Sequence, residues 1–326
     1  MKTKILTILK EAGGFVSGQD LCGRLGVSRT AVWKVMKQLE EEGYKIEAVR
    51  NKGYRLIQVA DVITEAEVGS QMNSKWMGRN LVYLPVTDST NIQAAKLARE
   101  GAPEGTLVVA ESQMAGKGRR GRSWSSPPGS SIYMSFLLRP DIPPYCASMI
   151  TLLAGMAGAK AVCQVAGLQA LIKWPNDLVI NGKKICGILT EMSTEMERIH
   201  YIVTGIGINV NQQEFPEEIR DKSTSLWLEG GKRVNRSQLI AAVMEWFETY
   251  FEQFLETNDL SNLKEEYEEM LANQNREVLV LDPAGYYKGI CRGIDKDGEL
   301  LVELPDGQIR PVLAGEVSVR GVYGYV

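Results

Sequence analysis

The stretch GVSRTAVWK, residues 26–34, contains a tight turn followed by the first residues of a helix, and it decides the fold of the N-terminal region. The hydroxyl of Ser28 can cap a helix over about residues 29–42. Before the turn, residues 2–11 and 18–25 carry apolar side chains at helical spacing. Helix, short glycine-containing turn and helix in this order predict a helix-turn-helix domain.

The third predicted helix has two chemically different faces. Ala31, Val35 and Leu39 recur every four residues and predict the face packed into the core. The other face carries basic, hydroxyl and aromatic side chains that can reach phosphates and base edges in a DNA major groove. These candidate DNA-binding residues are Ser28, Arg29, Thr30, Trp33, Lys34 and Lys37. The alternatives are a solvated helix face and, for Trp33, a place in the core.

The segment after this helix has the pattern of a β-hairpin. Residues 44–50 and 54–57 are strand-like, and the sequence NKG supplies the turn between them. A basic hairpin that follows a recognition helix resembles the wing of a winged-helix domain. Arg50 and Lys52 at its tip are therefore predicted to contact the DNA backbone.

Charge is distributed unevenly along the chain. Residues 1–60 contain eleven Lys/Arg and six Asp/Glu, whereas residues 61–326 contain twenty-six and thirty-four. A basic head on an acidic body suits DNA binding, and a small domain that is basic for no functional reason is the alternative. One such head binds DNA weakly, so a dimer that reads two half-sites is expected.

Length and composition restrict the class of protein. The 326 residues predict two or three domains. No apolar run reaches the roughly 18 residues of a membrane helix, so we expect a cytoplasmic protein that does not bind a membrane. The five cysteines are widely spaced without a CxxC pair, which fits reduced thiols and disfavours structural zinc. The single histidine, His200, lies where a turn enters a predicted strand, which disfavours a Ser-His-Asp triad.

The first polar cluster of the middle region follows a predicted strand. Residues 81–84 predict the strand, residues 87–91 (TDSTN) a polar turn, and residues 91–100 a helix. A strand, a hydroxyl-rich turn and a helix N-terminus together can bind a polar or anionic ligand. The alternative is that Ser89 and Thr90 only cap the helix.

A basic loop follows the next predicted strand, residues 106–113. It reads GKGRRGRSW at residues 116–124, and its four positive charges and three glycines should keep it mobile until an anion neutralises it. Phosphates and carboxylates suit the forked arginine donor, and Trp124 offers a flat face for a base. A disordered linker or an RNA-binding loop is the alternative. Its position before another predicted strand, residues 131–138, argues against a linker.

Two lysines flank a predicted hairpin further along the chain. Residues 171–180 predict a strand interrupted by Trp-Pro, and an Asn-Gly turn leads to a partner strand at residues 183–189. Because burying an unpaired charge is costly, Lys173 and Lys184 are expected to face an anionic ligand. The strand GIGINV, residues 205–210, contains glycines that permit close approach of a ligand.

Five motifs thus occur in order: TDSTN (87–91), GKGRRGRSW (116–124), KWPND (173–177), KKICGIL (183–189) and GIGINV (205–210). This ordered set resembles the biotin–protein ligase family and, with the winged helix in front, its bacterial class that is both ligase and biotin operon repressor. The resemblance covers essentially the whole chain. One departure is visible, because the family loop commonly reads GRGRRGR. Lys117 replaces its first arginine, which keeps the charge and removes the forked donor.

The resemblance implies an ATP-dependent ligase. Such an enzyme forms biotinyl-5′-adenylate from biotin and Mg-ATP and passes biotin to a lysine of the biotin carboxyl carrier protein. Mg²⁺ would be held by the ATP phosphates, with no dedicated protein cage. The resemblance also implies a repressor that binds operator DNA as a homodimer when the adenylate, its corepressor, is bound. The alternatives are a ligase without a DNA role, a non-catalytic sensor, and a lipoate or other acyl–protein ligase. The basic loop and the lysines favour the biotin ligase over the last two.

The same resemblance implies the site residues. Those expected to bind biotin are Ser89, Thr90, Asn91, Gln113, Lys117, Gly118, Arg119, Lys184 and Gly187. Those expected to act on the phosphates are Arg119, Lys173, Lys184, Asn176 and Asp177, and Trp124 is expected to stack on adenine. Because both reactants are anions, catalysis would rest on positioning and charge neutralisation.

The fold class expected from these patterns is α+β with several domains. Residues 144–166 predict a long central helix, and residues 235–271 predict two more helices. Five short strands then predict an SH3-like β-barrel, as in the family: Val278–Leu281, Tyr286–Ile294, Leu300–Leu304, Gln308–Val312 and Glu316–Val319. The expected domains are a winged helix-turn-helix at residues 1–62, a central mixed α/β catalytic domain with a largely antiparallel sheet at 63–272, and the barrel at 273–326.

Overall fold

The computed structural model describes residues 1–58, 61–195, 198–282, 285–314, 318–321 and 325–326. Its α-helices are α1 (Lys2–Ala12), α2 (Gly18–Leu25), α3 (Arg29–Glu41), α4 (Glu65–Gln71), α5 (Thr90–Arg99), α6 (Ala147–Ala166), α7 (Glu217–Arg220), α8 (Leu226–Gly230), α9 (Arg236–Thr257) and α10 (Lys264–Met270). Its strands are β1 (Lys45–Val49), β2 (Gly53–Gln58), β3 (Leu81–Thr87), β4 (Leu107–Gln113), β5 (Ile132–Leu138), β6 (Leu171–Lys173), β7 (Asp177–Ile180), β8 (Lys183–Glu195), β9 (Arg198–Ile208), β10 (Glu277–Asp282), β11 (Gly285–Ile294), β12 (Leu300–Glu303), β13 (Ile309–Val312) and β14 (Ser318–Gly321).

The N-terminal head consists of α1–α3 and the β1–β2 hairpin, as predicted. The hydroxyl of Ser28 accepts the backbone N–H of Ala31 at 3.2 Å and so caps α3. The predicted core face of α3 is partly wrong, because Ala31 is only half-buried whereas Val32 and Met36 are buried. A strict four-residue spacing drifts around a helix of 3.6 residues per turn, and the buried stripe alternates three and four residues instead.

Helix α4 joins the head to the rest of the chain. Ala66 belongs to the apolar core of the head, and Val68 belongs to that of the central region. The carboxylate of Glu67, fully buried, accepts hydrogen bonds from Lys10 Nζ and Tyr44 Oη, each at 2.5 Å. Burial and this carboxylate raise the pKa of Tyr44 well above its ordinary value. The head is therefore held to α4 by a buried polar contact as well as by apolar packing.

The central sheet has seven strands in the order β3-β4-β5-β9-β8-β7-β6. Strands β3 and β4 are parallel and the other pairs are antiparallel, which confirms the predicted largely antiparallel sheet. Helices α6 and α9 pack against one another in the core. Within the described residues, one segment, Pro144–Ala166, is long and apolar enough to span a membrane, and 78% of its apolar window is buried inside the protein. That burial is what a core helix requires.

Two local predictions differ from the structure. Strand β3 continues to Thr87 and α5 begins at Thr90, so the polar turn is shorter than predicted. The Trp-Pro segment does not merely interrupt one strand, because β6 and β7 on either side of it pair antiparallel. The Asn-Gly turn between β7 and β8 is confirmed, with positive φ at Asn181 and Gly182.

The C-terminal region forms a five-stranded antiparallel sheet in the order β13-β12-β11-β10-β14. The five predicted strands are thus found, although Glu316 and Val317 of the last one lie outside the described residues. Strands β13 and β14 lie at opposite edges of this sheet and do not pair in the described part of the chain, so a closed SH3-like barrel is not confirmed. Buried side chains of β10–β12 belong to the same core as the central sheet.

Candidate active site and DNA-binding surface

The start of α5 supplies a buried polar floor. Ser89, Thr90 and Asn91 are all nearly inaccessible to solvent. Ser89 occupies the N-cap position, but its side chain makes no capping hydrogen bond, and its N–H instead donates to Asp88 Oδ1 at 2.6 Å. Hydrogen bonding by Gln93 and by the Ser89 backbone lowers the pKa of Asp88. The interpretation of Ser89 as a helix cap is therefore wrong, and its hydroxyl faces a cleft.

The amide of Asn91 is oriented from both ends. Its Nδ2 donates to Glu191 Oε2 at 2.7 Å, and its Oδ1 lies 2.6 Å from Ser135 Oγ. Gly205 on β9 lies directly beneath, where a Cβ atom would overlap Asn91 Oδ1. This glycine is therefore needed for close approach, as expected for the glycine-interrupted strand.

Gln113 links the polar floor to the basic loop. Its Oε1 accepts the Thr90 N–H at 2.9 Å, and its Nε2 donates to Ser126 Oγ at 2.8 Å. The Ser126 hydroxyl donates to the carbonyl of Trp124 at 3.0 Å. A continuous series of hydrogen bonds thus connects the start of α5 with the end of the loop.

The basic loop folds back on itself. The Gly118 N–H donates to the Arg122 carbonyl at 2.7 Å, and the Trp124 N–H donates to the Gly116 carbonyl at 2.8 Å. Arg119 reaches away from the loop, with one guanidinium nitrogen 2.8 Å from Asn176 Oδ1. Burial, followed by the charge of neighbouring Arg120, lowers the pKa of Arg119. The mobility predicted for this loop stays a prediction.

The indole of Trp124 lies over two glycines of the sheet. A Cβ atom at Gly187 or Gly207 would approach the ring to 2.8 or 2.6 Å, so both positions require glycine. Lys184 Nζ lies 5.3 Å from the ring centroid, within the range of a cation–π contact. The indole N–H is buried without a hydrogen-bond acceptor among the described residues. A polar ligand atom could satisfy it.

Lys173, Asp177 and Lys184 form what we call the phosphate cluster. Lys184 Nζ contacts Asp177 Oδ1 at 2.5 Å. The other carboxylate oxygen of Asp177 accepts a hydrogen bond from Tyr325 Oη, and Lys173 Nζ lies 3.4 Å from the centroid of the Tyr325 ring. Nearby, burial raises the pKa of Cys186, which keeps it a neutral thiol. The cluster thus concentrates positive charge at the strand ends.

Two adjoining clefts contain every residue expected at the active site. The first has about 470 Å³ of empty space and is lined by all nine residues expected to bind biotin, with Tyr133 and Ile206 among its apolar walls. Burial raises the pKa of Tyr133 to about 12. The second has about 2240 Å³, is open to solvent and is lined by all five residues expected at phosphates. Both clefts are bordered by Gly118, Arg119, Trp124, Asn176 and Lys184.

Sequence reasoning missed four residues of this region: Ser126, Ser135, Glu191 and Tyr325. Ser135 was detectable, because it is the one small polar residue within the apolar strand IYMSFLL. Glu191 and Tyr325 meet the site only through tertiary packing, whereas Ser126 lies two residues after Trp124 and was overlooked. His200 lies on an exposed part of β9 with Glu195 at 3.0 Å, away from both clefts, as its sequence position indicated.

The eight candidate DNA-binding residues lie on the surface of the head. All are exposed: Ser28, Arg29, Thr30, Trp33, Lys34, Lys37, Arg50 and Lys52. Trp33 is 54% exposed, which contradicts its alternative place in the core. Lys52 Nζ lies 5.8 Å from the Phe15 ring centroid, so the hairpin tip packs against the segment before α2. An exposed tryptophan flanked by cations is a surface suited to a polyanionic partner.

Comparison with known proteins covers the three parts of the chain. Residues 2–55 match an HTH domain family, residues 83–209 the biotin/lipoate A/B protein ligase family, and residues 275–320 the biotin protein ligase C-terminal domain. The chain is 40% identical to the bifunctional ligase/repressor BirA of Bacillus subtilis over 98% of both chains. It is 32% identical to the protein of that name from Escherichia coli, over 97% of this chain and 96% of the other.

Solved structures agree with these relatives. A biotin protein ligase from Aquifex aeolicus in complex with biotin and ATP superposes with a TM-score of 0.66 at 32% identity. The match covers 74% of this chain and 99% of the other.

Proposed function

The chain belongs to the biotin protein ligase family, and from this premise we propose that it joins biotin to the biotin carboxyl carrier protein and represses biotin genes. Biotin and ATP first form biotinyl-5′-adenylate and pyrophosphate. The biotinyl group then passes to a lysine of the carrier protein. The observation that carries this proposal is the border shared by the two clefts, which includes Arg119 and Lys184. A carboxylate bound in the first cleft would meet a phosphate bound in the second at this border.

The first step needs no catalytic base. A biotin carboxylate oxygen attacks the α-phosphorus of ATP, the bond to the β-phosphate oxygen breaks, and pyrophosphate leaves. Lys184 and Arg119 line both clefts, so their charges lie where negative charge accumulates in the transition state. Lys173 and Asn176 line the second cleft, where they would hold the outer phosphates. Catalysis follows from alignment of two anions that repel one another in water.

The polar floor suits the bicyclic ureido group of biotin, which has two N–H donors and one carbonyl acceptor. Ser89, Asn91 and Gln113 present hydroxyl and amide groups to the first cleft. The apolar wall of that cleft would contact the rest of the ring system and the acyl chain. Trp124 lies at the border of the two clefts and would stack on adenine after its side chain reorients. The loop at 116–124 would close over the adenylate and exclude water.

Mg²⁺ would enter with the nucleotide. In the described part of the chain, no group of three or more His, Cys, Asp or Glu side chains is placed to hold a metal ion. Both carboxylate oxygens of Asp177 already accept hydrogen bonds from the protein. We therefore assign the ion to the ATP phosphates, where it would neutralise charge on the leaving group.

The second step forms an amide bond. The ε-amine of the acceptor lysine attacks the acyl carbon of the adenylate, the bond to the phosphate oxygen breaks, AMP leaves and the amine loses a proton. The open second cleft gives an approach to this carbon beside Lys183 and Lys184. The enzyme would act in the cytoplasm on a protein substrate.

The repressor role rests on the head. We propose that residues 1–62 form a winged helix-turn-helix domain, residues 63–272 the catalytic domain, and residues 273–326 a domain related to SH3-like barrels. Adenylate binding orders the basic loop, favours a homodimer and so joins two heads on one operator. Operator and dimer affinities that are the same with and without biotinyl-adenylate would refute this coupling.

Biotin-dependent exchange of labelled pyrophosphate into ATP tests the enzyme. The protein should catalyse exchange, Arg119→Ala should be impaired or release free adenylate, and Arg99→Ala, on the exposed end of α5, should match the unaltered protein. Biotin binding without exchange would instead support the non-catalytic sensor. Exchange that depends on lipoate and is not supported by biotin would support a lipoate ligase.

A further inference from the structure

Tyr325 brings the C-terminal region into the active site. Its hydroxyl donates to Asp177 Oδ2, and its ring faces Lys173 Nζ at 3.4 Å from the centroid. Tyr325 and all three members of the phosphate cluster line the second cleft together. It therefore contacts Lys173 of β6 and Asp177 of β7, which both lie far from it in the sequence.

The chemistry of this contact differs from that of an ion pair. Lys173 is only 6% exposed, so its ammonium group is largely removed from water. A carboxylate partner would stabilise that charge but would also neutralise it and compete with an incoming phosphate. An aromatic face stabilises a cation through its quadrupole and leaves the positive charge in place. The Tyr325 ring thus gives the Lys173 ammonium group a contact that adds no negative charge.

The hydroxyl acts on the other lysine indirectly. Asp177 accepts from Lys184 through one oxygen and from Tyr325 through the other. A carboxylate that also accepts from a hydroxyl is fixed in direction and has less electron density for the lysine. Asp177 in turn holds Lys184, which lines both clefts.

A second contact joins the same two regions independently. Arg119 of the basic loop donates to the carbonyl of Ala314, which follows β13, at 2.5 Å. The C-terminal region therefore contacts both the basic loop and the phosphate cluster.

We propose that Tyr325 is a positioning residue for ATP, whose ring holds Lys173 and whose hydroxyl holds Asp177 so that the phosphate cluster is preformed for the nucleotide. This inference rests on the proposed function and assigns to the C-terminal region a share of the nucleotide site. Tyr325 acts through the cluster and takes no part in bond making.

Two substitutions separate the ring from the hydroxyl. Tyr325→Phe keeps the aromatic face and loses the hydrogen bond to Asp177, whereas Tyr325→Leu loses both. We expect the KM for ATP in pyrophosphate exchange to rise about threefold in the first and about tenfold in the second. The Kd for biotin should stay unchanged in both, because the first cleft does not contain Tyr325. Tyr286→Leu, at an exposed tyrosine on β11 of the C-terminal sheet, is the matched control and should leave both constants unchanged.

The measurements also include the Kd for ATP by calorimetry, which requires no turnover. The inference is supported if ATP binds most weakly to Tyr325→Leu, less weakly to Tyr325→Phe and most tightly to the unaltered protein. This holds even if no pyrophosphate exchange is found, because the absence of exchange would overturn only the proposed function. An unchanged KM and Kd for ATP in Tyr325→Leu would overturn the inference and leave the ligase standing. Equal losses of ATP and biotin binding would overturn it too, because they would indicate general damage to the fold.

Discussion

Asn91 Nδ2 donates to Glu191 Oε2 at 2.7 Å, so a residue of β8 determines which end of the Asn91 amide faces Ser135. With its nitrogen committed to the carboxylate, Asn91 directs its oxygen to the Ser135 hydroxyl. The side chain is held in this orientation where it lines the first cleft. Glu191 therefore shapes the site through Asn91, although it does not line the cleft.

Replacement of Glu191 should weaken biotin binding specifically. In Glu191→Ala the Asn91 amide loses its charged partner, and we expect the KM for biotin to rise about fivefold, equivalent to about 1 kcal/mol for a partly exposed hydrogen bond. Glu191→Gln keeps an acceptor and should show a smaller rise. The measurement is pyrophosphate exchange at saturating ATP. Glu195→Ala, on the same strand and paired with His200, is the control. An unchanged KM for biotin in Glu191→Ala would contradict the role given to this pair.

Local sequence signals accounted for the parts of the fold that depend on neighbouring residues. Ser28 was recognisable as a cap because the hydroxyl and the N–H it accepts are three residues apart. The Asn-Gly turn was equally local. The site motifs could be ordered along the chain, and each proved to lie near the end of a strand or in a loop that borders the two clefts. The ordered set of motifs therefore predicted more of the site than any single motif did.

Contacts between distant residues were beyond sequence reasoning. Tyr325 and Asp177 are 148 positions apart, and nothing in either local stretch indicates that they meet. The same holds for Asn91 and Glu191, 100 positions apart. The predicted barrel shows the related limit, because strand positions were readable from turns while closure depends on how the edge strands pair. Local patterns thus define elements, and packing decides which side chains become a site.

Arg236 should be important for stability. This arginine, 3% exposed, donates to Asp61 Oδ1 at 3.2 Å and to Glu111 Oε1 at 2.9 Å, so it joins α9, β4 and the segment that follows the head. Arg236→Ala leaves two carboxylates without their shared cation. We expect the free energy of unfolding to fall by about 3 kcal/mol, measured by urea denaturation. Arg236→Lys should lower the free energy of unfolding by less, because lysine keeps the positive charge and lacks only the forked guanidinium donor.

The control for this prediction is Arg233→Ala. Arg233 is exposed three residues earlier and lies over the Trp227 ring at 5.1 Å. Arg233→Ala should lower the free energy of unfolding by less than about 1 kcal/mol, because exposed contacts contribute little. Equal effects of Arg233→Ala and Arg236→Ala would show that the buried network adds nothing beyond a surface charge.

Lys52 should contribute to DNA affinity through a phosphate contact. Binding to a duplex of arbitrary sequence, followed by fluorescence anisotropy at several salt concentrations, gives a line of log affinity against log salt. Lys52→Ala should reduce the magnitude of its slope by about 0.9, the value for one phosphate contact. Lys45→Ala, at the end of the hairpin away from the turn, should leave the slope unchanged. An equal decrease of the slope in Lys52→Ala and Lys45→Ala would mean that DNA affinity depends only on the overall charge of the head.

Glu248 should make stability depend on pH in the acid range. This carboxylate, 5% exposed, accepts the backbone N–H groups of Lys75, Trp76 and Met77 at 2.7–2.9 Å. Burial alone would raise its pKa, but these three donors outweigh burial and lower the pKa below the ordinary value of 4.5. The ionised form is therefore favoured by the folded state. Its contribution is complete above pH 4.5 and is lost as the pH falls through the lower folded pKa.

Glu248→Gln tests this contribution, because the amide keeps the shape and removes the charge. We expect the free energy of unfolding at about pH 7 to fall by about 2 kcal/mol, since hydrogen bonds to a charged acceptor are the stronger kind. Glu252→Gln, one turn further along α9 and exposed, is the matched control and should have little effect. The difference between the unaltered protein and Glu248→Gln should be constant above pH 4.5 and shrink in more acid solution, as urea denaturation at a series of pH values would show. A difference that persists undiminished in acid would mean that the charge of Glu248 is not what holds residues 75–77.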